Sequence, residues 1–260
     1  MKTIAIVQAR MGSARLPGKV LLPLRPRETA LGFMLERVKA AKSLDKIVVA
    51  TSTDSGNNDL ISYLERLGIS YFAGSETDVL DRYYQTAKMF AEPDDLIVRL
   101  TGDCPLHDPR VIDLVVNTYF SGNYDFVSNS LEPYSFPDGL DVEVFSFKNL
   151  ETAWHEAKLP SHREHVTFYF WQNPARFKIF YVKNPQNLSR YRLTLDYPED
   201  YELIKNIVSY FAGQKKQDFS MAEIIAYLDL HPEVMMLNAG IKQNAGWEAS
   251  LQADKQFLNN

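Results

Sequence analysis

Apolar segments of two kinds alternate along the first half of the chain, and this alternation constrains the fold more than any other feature. Short continuous apolar runs are typical of buried strands, whereas apolar residues three or four positions apart are typical of helices. The predicted strands are residues 3–7, 46–51, 69–72 and 96–100. The predicted helical faces carry Leu31, Leu35 and Val38, then Leu60, Leu64 and Leu67, then Val79, Leu80, Tyr83 and Ala87. Strands that alternate with helices pack as a mostly parallel sheet with helices on both faces, so an α/β fold is predicted.

The alternation weakens after Tyr124, where we expect a β-rich excursion over about residues 130–190. The predicted strands of this second half are residues 141–145, 177–182 and 190–196. A last core helix is predicted for residues 198–211, because Pro198 suits the first turn of a helix. We therefore expect one domain over residues 1–211 and a helical appendage over residues 212–260.

Charge and composition exclude several classes of function. The formal net charge of −5 disfavours binding to nucleic acid or to an anionic membrane, so an anionic substrate must be held by local clusters of cations. Cys104 is the single cysteine, so no intramolecular disulfide can form. No apolar segment has the length of a signal-peptide core or a membrane span, and a cytoplasmic location is the expectation.

The segment QARMGSARLPGK, residues 8–19, directly follows the first predicted strand and is typical of a phosphate-binding loop. Its cations are Arg10, Arg15 and Lys19, which surround Gly12, Ser13 and Gly18. A glycine-containing turn after a strand exposes backbone N–H groups, and fixed cations beside them suit a polyphosphate. It is not a Walker A loop, because Val20 follows Lys19 and has no hydroxyl group for Mg²⁺. The structural alternative is a solvated basic turn.

Two aspartates follow predicted strands and are candidate ligands for Mg²⁺. Asp103 lies in RLTGDCPLHDP, residues 99–109, and Asp196 ends the strand that precedes Pro198. Ligands of open α/β sheets collect at the carboxyl ends of strands, and Mg²⁺ takes one or two protein carboxylates besides water and phosphate oxygens. The alternatives are a turn or cap role for Asp103 and an N-cap role for Asp196. Asp108 is predicted to be the N-cap of the helix that follows it.

Several motifs together resemble a known family. They are QARMGSARLPGK, VLDRYYQTAK, RLTGDCPL, PDGLDVEVF, REHVTFYF, LTLDYPED and, at residues 238–251, NAGIKQNAGWEASL. The set is similar to the spore coat polysaccharide biosynthesis protein F family of sugar-acid cytidylyltransferases. It also resembles the CMP-sialic acid and CMP-octulosonate synthetases, whose first loop carries A-R…R-L-P-G-K and whose late strand ends in D-x-P-E-D. The resemblance covers nearly the whole chain and implies a Rossmann-like fold of the nucleotide-diphospho-sugar transferase type.

The resemblance implies a reaction in which a sugar-acid hydroxyl attacks the α-phosphate of CTP, releasing pyrophosphate and leaving a CMP-sugar. It implies catalysis by alignment and charge neutralisation, with Arg10, Arg15, Lys19 and Asp103 as the catalytic residues. The nucleotide-binding residues that it implies are these four with Gln8, Ala9, Gly12, Ser13 and Thr101. Asp103 and Asp196 match the metal-binding carboxylates, so Mg²⁺ is the expected cofactor.

The sugar is expected to lie against the excursion. Asp141 and Glu143 belong to an acidic segment that could accept hydrogen bonds from sugar hydroxyls, and Arg163 or His165 could pair with a substrate carboxylate. The alternative for each is a solvated face of a strand or helix. The aromatic stripe at residues 168–171 packs in the core or forms a subunit contact, and the resemblance implies a homodimer.

Three other functions remain open from the sequence. A GT-A glycosyltransferase also binds a nucleotide through metal-holding carboxylates, although no D-x-D motif occurs near residues 99–109 and DVE at 141–143 is a poor substitute. A different nucleotidyltransferase, acting on a sugar phosphate or polyol phosphate, shares the same loop. A nucleotide-binding protein without turnover is the third, and the intact Lys19, Asp103 and Asp196 argue against it.

Overall fold

A computed structural model describes residues 1–242 and 245–259. The strands are β1 Thr3–Gln8, β2 Pro23–Arg25, β3 Glu28–Thr29, β4 Lys46–Ser52, β5 Ser70–Gly74, β6 Leu96–Thr101, β7 Phe126–Ser128, β8 Glu143–Ser146 and β9 Ile179–Tyr181. The helices are α1 Ala30–Lys39, α2 Asn58–Arg66, α3 Val79–Phe90, α4 Pro109–Ser121, α5 Phe147–Glu156, α6 Pro160–His165, α7 Phe168–Trp171, α8 Pro198–Gly213, α9 Met221–Leu230, α10 Pro232–Met235 and α11 Ala245–Leu258.

The main sheet has the strand order β5-β4-β1-β6-β8-β7-β9 within these residues. Strands β5, β4, β1 and β6 are parallel, β8 is antiparallel to β6 and β7, and β9 is parallel to β7. The four strands predicted in the first half are confirmed, as is the mostly parallel α/β fold. The chain moves outward from β1 to β4 and β5 and then returns to the other side of β1 with β6. This reversal between β1 and β6 is the point where ligands of open α/β sheets bind.

Alternating side chains of the strands fill two layers of core. In β1, Ala5 and Val7 face the layer covered by α1, α2 and α4, whereas Ile4 and Ile6 face the layer covered by α3 and α5. All four are fully buried, as the continuous apolar run predicts. Helices therefore cover both faces of the sheet, and the carboxyl ends of β1 and β6 are left as the functional edge.

The second half differs from the prediction in how its strands are used. Strands β8 and β9 lie within the predicted segments 141–145 and 177–182, apart from the last residue of β8, but they extend the main sheet beyond β6 together with β7. The chain between them is largely helical and forms α5, α6 and α7. The β-rich excursion is thus an extension of the same sheet. The aromatic stripe at 168–171 packs as a short helix, with Phe168, Tyr169 and Phe170 buried.

The strand predicted at residues 190–196 is wrong. The segment makes one isolated bridge, between Arg192 and Asp138, and separate backbone hydrogen bonds to residues 138 and 103. Gly139 explains why no longer ladder forms. Its φ of +98° turns the chain, and a Cβ atom there would lie 2.5 Å from the Thr194 backbone nitrogen.

The C-terminal part consists of helices that pack on α8 and α6. Helices α8, α9 and α10 share an apolar cluster with Leu193 and Phe219, and α11 packs against α6. The domain boundary at residue 211 stays a prediction. In the motif at 238–251, Gln243 and Asn244 lie outside the described residues. Across the described chain, no helix combines the length and apolar character that a membrane span needs.

Candidate active site

The loop after β1 leaves backbone N–H groups without protein partners. The Met11 N–H donates to Asn57 Oδ1 at 2.8 Å, and the Gly18 N–H donates to Met11 O at 3.0 Å, so both ends of the loop are fixed. Within the described part of the chain, the N–H groups of Gly12, Ala14 and Arg15 donate to no protein acceptor. Such groups beside cations are suited to bind an anion.

Lys19 lies at the end of this loop and joins two carboxylates. Its Nζ lies 2.7 Å from Asp103 Oδ2 and 2.8 Å from Asp196 Oδ1. Arg15 reaches the same Asp196 Oδ1 with its Nη2 at 2.6 Å. The Lys19 side chain is 10% exposed, so these contacts are formed with little water around the ammonium group. Lys19, Asp103 and Asp196, which belong to three separate motifs of the sequence, therefore form one cluster.

The backbone places the two aspartates side by side. Asp103 follows β6, and its carbonyl oxygen accepts a hydrogen bond from the Leu195 N–H at 2.7 Å, which brings the segment before α8 to the end of β6. The predicted N-cap role of Asp196 is wrong, because Tyr197 is the N-cap residue of α8. Asp200 accepts from the N–H groups of Asp196 and Tyr197, so the Asp196 carboxylate is free to bind Lys19.

Asp108, by contrast, is the N-cap of α4, and its carboxylate accepts from the Arg110 N–H at 2.9 Å. That prediction is confirmed. Cys104 is buried beside Thr101, where it fills space as a small packing residue. Burial, with Asp103 nearby, raises the pKa of the Cys104 thiol well above its ordinary value.

Arg192 connects the cluster to the rest of the cavity. Its guanidinium group binds Asp138 Oδ2 at 2.8 Å, Asp196 Oδ2 at 3.3 Å and both oxygens of Asp200 at 2.9 and 3.0 Å. Arg192 is 7% exposed and Asp200 is fully buried. Because one buried guanidinium holds three carboxylates, the position of Asp196 depends on Arg192 as well as on Lys19.

The charges of the cluster shift the ionisation of its members. Burial opposes the charged form of Asp103, but the Lys19 ammonium outweighs it and lowers the pKa of Asp103 to about 2. Burial also opposes the charge of Lys19, yet the two carboxylates leave its pKa raised. Asp138 has the opposite shift. Its burial, with Asp196 and Asp103 nearby, raises its pKa to about 6 despite Arg192, and the pKa of Asp141 is raised well above its ordinary value through burial and Asp138.

A cavity of about 330 Å³ extends from this cluster toward α6 and α7. Most of the predicted site residues line it: Gln8, Arg15, Thr101, Asp103, Asp141, Glu143, His165 and Asp196. Glu143 is 4% exposed, binds Arg99 and accepts from Thr167 Oγ1 at 3.0 Å. The His165 Nε2 atom hydrogen-bonds Ser250 Oγ at 2.8 Å, and burial lowers the pKa of His165 to about 4. Both side chains thus reach the cavity while held by protein partners.

Other predicted residues lie away from the cavity. Arg10 pairs with Glu76 at 2.5 Å, and Gly12 lies beside the same carboxylate. Ser13 Oγ accepts from the Leu16 N–H inside the loop. Arg163, predicted to meet a substrate carboxylate, pairs with Asp78 and the Trp154 carbonyl instead, because α6 directs it toward α3. Ala9 is buried at the end of β1.

The donor set fits Mg²⁺ in type. Asp103 and Asp196 already hold the same Lys19 ammonium, so their oxygens converge, and Mg²⁺ commonly takes two carboxylates with water and phosphate oxygens. Among the described residues no group of three or more His, Cys, Asp or Glu side chains is arranged to hold a metal ion. Water and phosphate oxygens would complete the shell of a divalent cation at these two carboxylates.

Three contributors were missed by the sequence analysis. Arg192 and Arg99 pair with acidic residues inside the cavity, and Trp247 of α11 lines its far end. An isolated arginine in a strand or loop carries no local signal of burial. Trp247 belongs to a recognised motif, but it lies 51 positions after Asp196, the nearest predicted cavity residue upstream, and this separation gives no sequence signal either.

A cation-rich loop and facing carboxylates, at the reversal point of a parallel sheet, define an α/β protein built to bind a phosphorylated ligand. Residues 4–225 match the family described as Cytidylyltransferase, and the chain belongs to this family. The resemblance drawn from the motifs is thereby confirmed.

Relatives and a solved structure agree with this assignment. The chain is 34% identical to the spore coat polysaccharide biosynthesis protein SpsF of Bacillus subtilis, over 88% of this chain and 94% of that protein. It is 29% identical to 8-amino-3,8-dideoxy-manno-octulosonate cytidylyltransferase of Shewanella frigidimarina, over 68% of this chain and 67% of that protein. The structure of a cytidylyltransferase from Leptospira borgpetersenii is 38% identical, covers 94% of this chain and 100% of that chain, and has a TM-score of 0.85.

Proposed function

We propose that the protein transfers CMP from CTP to a sugar acid and releases pyrophosphate, in the biosynthesis of a surface or spore coat polysaccharide. The observation that carries this proposal is the Lys19 ammonium held between Asp103 and Asp196 beside a loop with unpaired N–H groups. Family membership and the similarity to SpsF and to an octulosonate cytidylyltransferase support the nucleotide, the sugar acid and the polysaccharide context.

In the proposed reaction an acceptor hydroxyl oxygen bonds to the α-phosphorus of CTP. The bond from that phosphorus to the bridging oxygen of the β-phosphate breaks, and pyrophosphate leaves with the electron pair. The hydroxyl proton passes to solvent or to a carboxylate of the cavity. No covalent bond to the protein is needed, so positioning and charge neutralisation supply the rate enhancement.

Each residue of the cluster then has a specific task. The ammonium of Lys19 and the guanidinium of Arg15 neutralise charge on the phosphates and on the departing pyrophosphate. The N–H groups of Gly12 and Ala14 bind phosphate oxygens. Asp103, held ionised by Lys19, keeps that ammonium at the α-phosphate position.

Mg²⁺ is the proposed cofactor, and Asp103 and Asp196 would hold it. It would supply positive charge next to the phosphate oxygens and so favour departure of pyrophosphate. Arg192 keeps the Asp196 carboxylate oriented, and Arg15 shares that carboxylate. These contacts leave the metal-binding oxygens poised before the nucleotide arrives.

The remaining site assignments stay proposals. Gln8, Ala9 and Thr101 are assigned to the nucleotide pocket, and Arg10, Gly12 and Ser13 to the phosphate loop. Asp141, Glu143 and His165 are assigned to the acceptor, whereas the pairing of Arg163 with Asp78 removes the main reason for its assignment. A homodimer and a cytoplasmic location are likewise proposed.

The test is a pyrophosphate-release assay with Mg²⁺, each of the four nucleoside triphosphates and a panel of sugar acids and sugar phosphates. The panel includes N-acetylneuraminate and 3-deoxy-manno-octulosonate. Release that requires both CTP and a sugar acid is expected, and Asp103→Asn should abolish it. The matched control is Asp218→Asn, which changes an exposed aspartate bound to Arg110 and should leave activity unchanged.

This assay, with a sugar-nucleotide cleavage assay and calorimetry beside it, separates the alternatives. Pyrophosphate release with a sugar phosphate, and none with sugar acids, would assign a different nucleotidyltransferase. Cleavage of a sugar nucleotide without pyrophosphate release would favour the glycosyltransferase. Calorimetric binding of CTP with no turnover over the whole panel would favour a nucleotide-binding protein.

A further inference from the structure

Helix α11 is attached to the wall of the cavity by buried polar contacts. The N–H and hydroxyl groups of Ser161, in α6, donate to the two oxygens of Asp254 at 2.9 and 2.5 Å. Ser161 is fully buried and Asp254 is 6% exposed. One turn before Asp254, Ser250 Oγ hydrogen-bonds His165 at 2.8 Å and donates to Glu164. Buried hydrogen bonds to a carboxylate fix a helix more firmly than surface contacts do.

This attachment brings Trp247 to the far end of the cavity. Its ring centroid lies 5.0 Å from that of Phe168 in an edge-to-face arrangement and 6.4 Å from that of Trp171 in a stacked one. Phe168 in turn stacks on His165 at 4.5 Å. Trp247 and Lys242 therefore line the same cavity as Asp103.

The charge of the cavity argues against a triphosphate at this end. Beyond Lys19 and Arg15 the lining carries the carboxylates of Asp138, Asp141 and Glu143, and Arg99 and Arg192 already bind carboxylates there. Carboxyl groups, charged or neutral, do not attract phosphate, whereas they form hydrogen bonds with hydroxyls. Of the described loop residues 9–18, Arg15 lines the cavity, whereas Arg10 is turned to Glu76. If the α-phosphate lies at Lys19, the nucleoside lies toward this loop and Gln8, and the acceptor occupies the far end of the cavity.

We propose that α11 completes the acceptor subsite and that Trp247 is a specificity-determining residue, contacting the apolar C–H face of the acceptor sugar. This inference rests on the proposed function. A sugar ring has hydroxyls around its edge and C–H groups on its face, so it matches a cavity with carboxylates on one wall and aromatic rings on another. Lys242 also lines this cavity.

The experiment compares Trp247→Ala and Trp247→Phe with the matched control Phe257→Ala. Phe257 lies on the same helix, is 51% exposed and does not line the cavity. The KM for the sugar acid that the unsubstituted protein uses best is measured by pyrophosphate release, and CTP binding by calorimetry. Trp247→Ala is expected to raise the acceptor KM tenfold or more with unchanged CTP affinity. Trp247→Phe should raise it less, and Phe257→Ala should leave it unchanged.

Each outcome has one meaning. An unchanged acceptor KM in Trp247→Ala, or a loss of CTP affinity equal to the loss for the acceptor, overturns the inference. Thermal unfolding shows whether Trp247→Ala is folded. If it is not, Trp247→Phe is used instead, because its smaller aromatic ring retains the packing. An unchanged acceptor KM in Trp247→Phe also overturns the inference. An unsubstituted protein that releases no pyrophosphate with any sugar acid overturns the proposed function itself.

Discussion

Lys19 Nζ lies 2.7 Å from Asp103 Oδ2, although 84 residues separate the two in sequence. The contact spans the reversal point of the sheet, because Lys19 belongs to the loop after β1 and Asp103 follows β6. It keeps Asp103 ionised and orients Lys19 at the same time. Neither residue can be changed without altering the charge state or position of the other.

Lys19→Met is expected to lower turnover by about 100-fold or more, a loss typical of removing one group that stabilises transition-state charge. The ammonium can no longer neutralise the phosphates, and Asp103 loses the cation that joins it to Asp196. The measurement is pyrophosphate release with saturating CTP. Lys39→Met is the matched control, since Lys39 is an exposed lysine paired with Glu36 on α1. Equal activities of the two variants would remove Lys19 from the catalytic cluster.

Arg192→Met is expected to destabilise the protein by about 3–5 kcal/mol, because it leaves buried carboxylates without their cation. Asp200 is fully buried and loses both guanidinium contacts. Urea unfolding followed by circular dichroism measures the free energy of unfolding. The neighbouring Arg190→Met is the control, and a loss below about 1 kcal/mol is expected because its pair with Asp229 is solvent-exposed. Comparable losses for both variants would contradict the central role of Arg192.

Gly102→Ala is expected to cost about 1–3 kcal/mol of stability through overpacking. An added Cβ atom would lie 2.9 Å from the Gln8 carbonyl oxygen and 2.8 Å from the Ala9 Cβ atom, at the closest approach of the ends of β1 and β6. Gly213→Ala is the matched control, because a Cβ atom there has nothing within 4 Å. Differential scanning calorimetry should show a lower melting temperature for Gly102→Ala alone. An unchanged melting temperature would mean that the two strand ends separate easily.

The raised pKa of Asp138 predicts a pH dependence of stability. Between its ordinary value of 3.8 and the folded value of about 6, the folded protein keeps a proton that the unfolded chain has released. The free energy of unfolding contributed by this group therefore falls as pH rises through that window and is constant above it. Asp138→Asn should lack this fall in urea titrations, whereas Asp218→Asn should retain it. A slope that is identical in all three proteins would show that Asp138 does not titrate there.

The parts of the fold that follow local periodicity were predictable. Strands β1, β4 and β6 contain continuous apolar runs, so burial on both faces could be inferred from each segment alone. The segment at 190–196 has the alternation of a strand, yet no strand lies continuously beside it. Its partners are single residues at 138 and 103, and such isolated pairing leaves no sequence pattern.

The candidate site was predictable in its charged residues and less so in its geometry. Lys19, Asp103 and Asp196 were placed at strand or loop ends, and the fold brings them into contact. Arg10 and Arg163 were assigned to ligands, but acidic residues 66 and 85 positions away in sequence bind them instead. Whether an arginine meets a ligand or a neighbouring carboxylate depends on tertiary packing, which no local motif specifies.

The 177 residues between Lys19 and Asp196 also bear on the order in which the site forms during translation. A nascent chain that has emerged as far as Asp103, just after β6, already contains the four parallel strands and Lys19. It lacks the segment that supplies Asp196, Arg192 and the start of α8. Because domains acquire structure as their segments leave the ribosome, the nucleotide loop exists for some time without its second carboxylate. Binding competence is therefore acquired late, only after the segment that carries Arg192 and Asp196 has been synthesised.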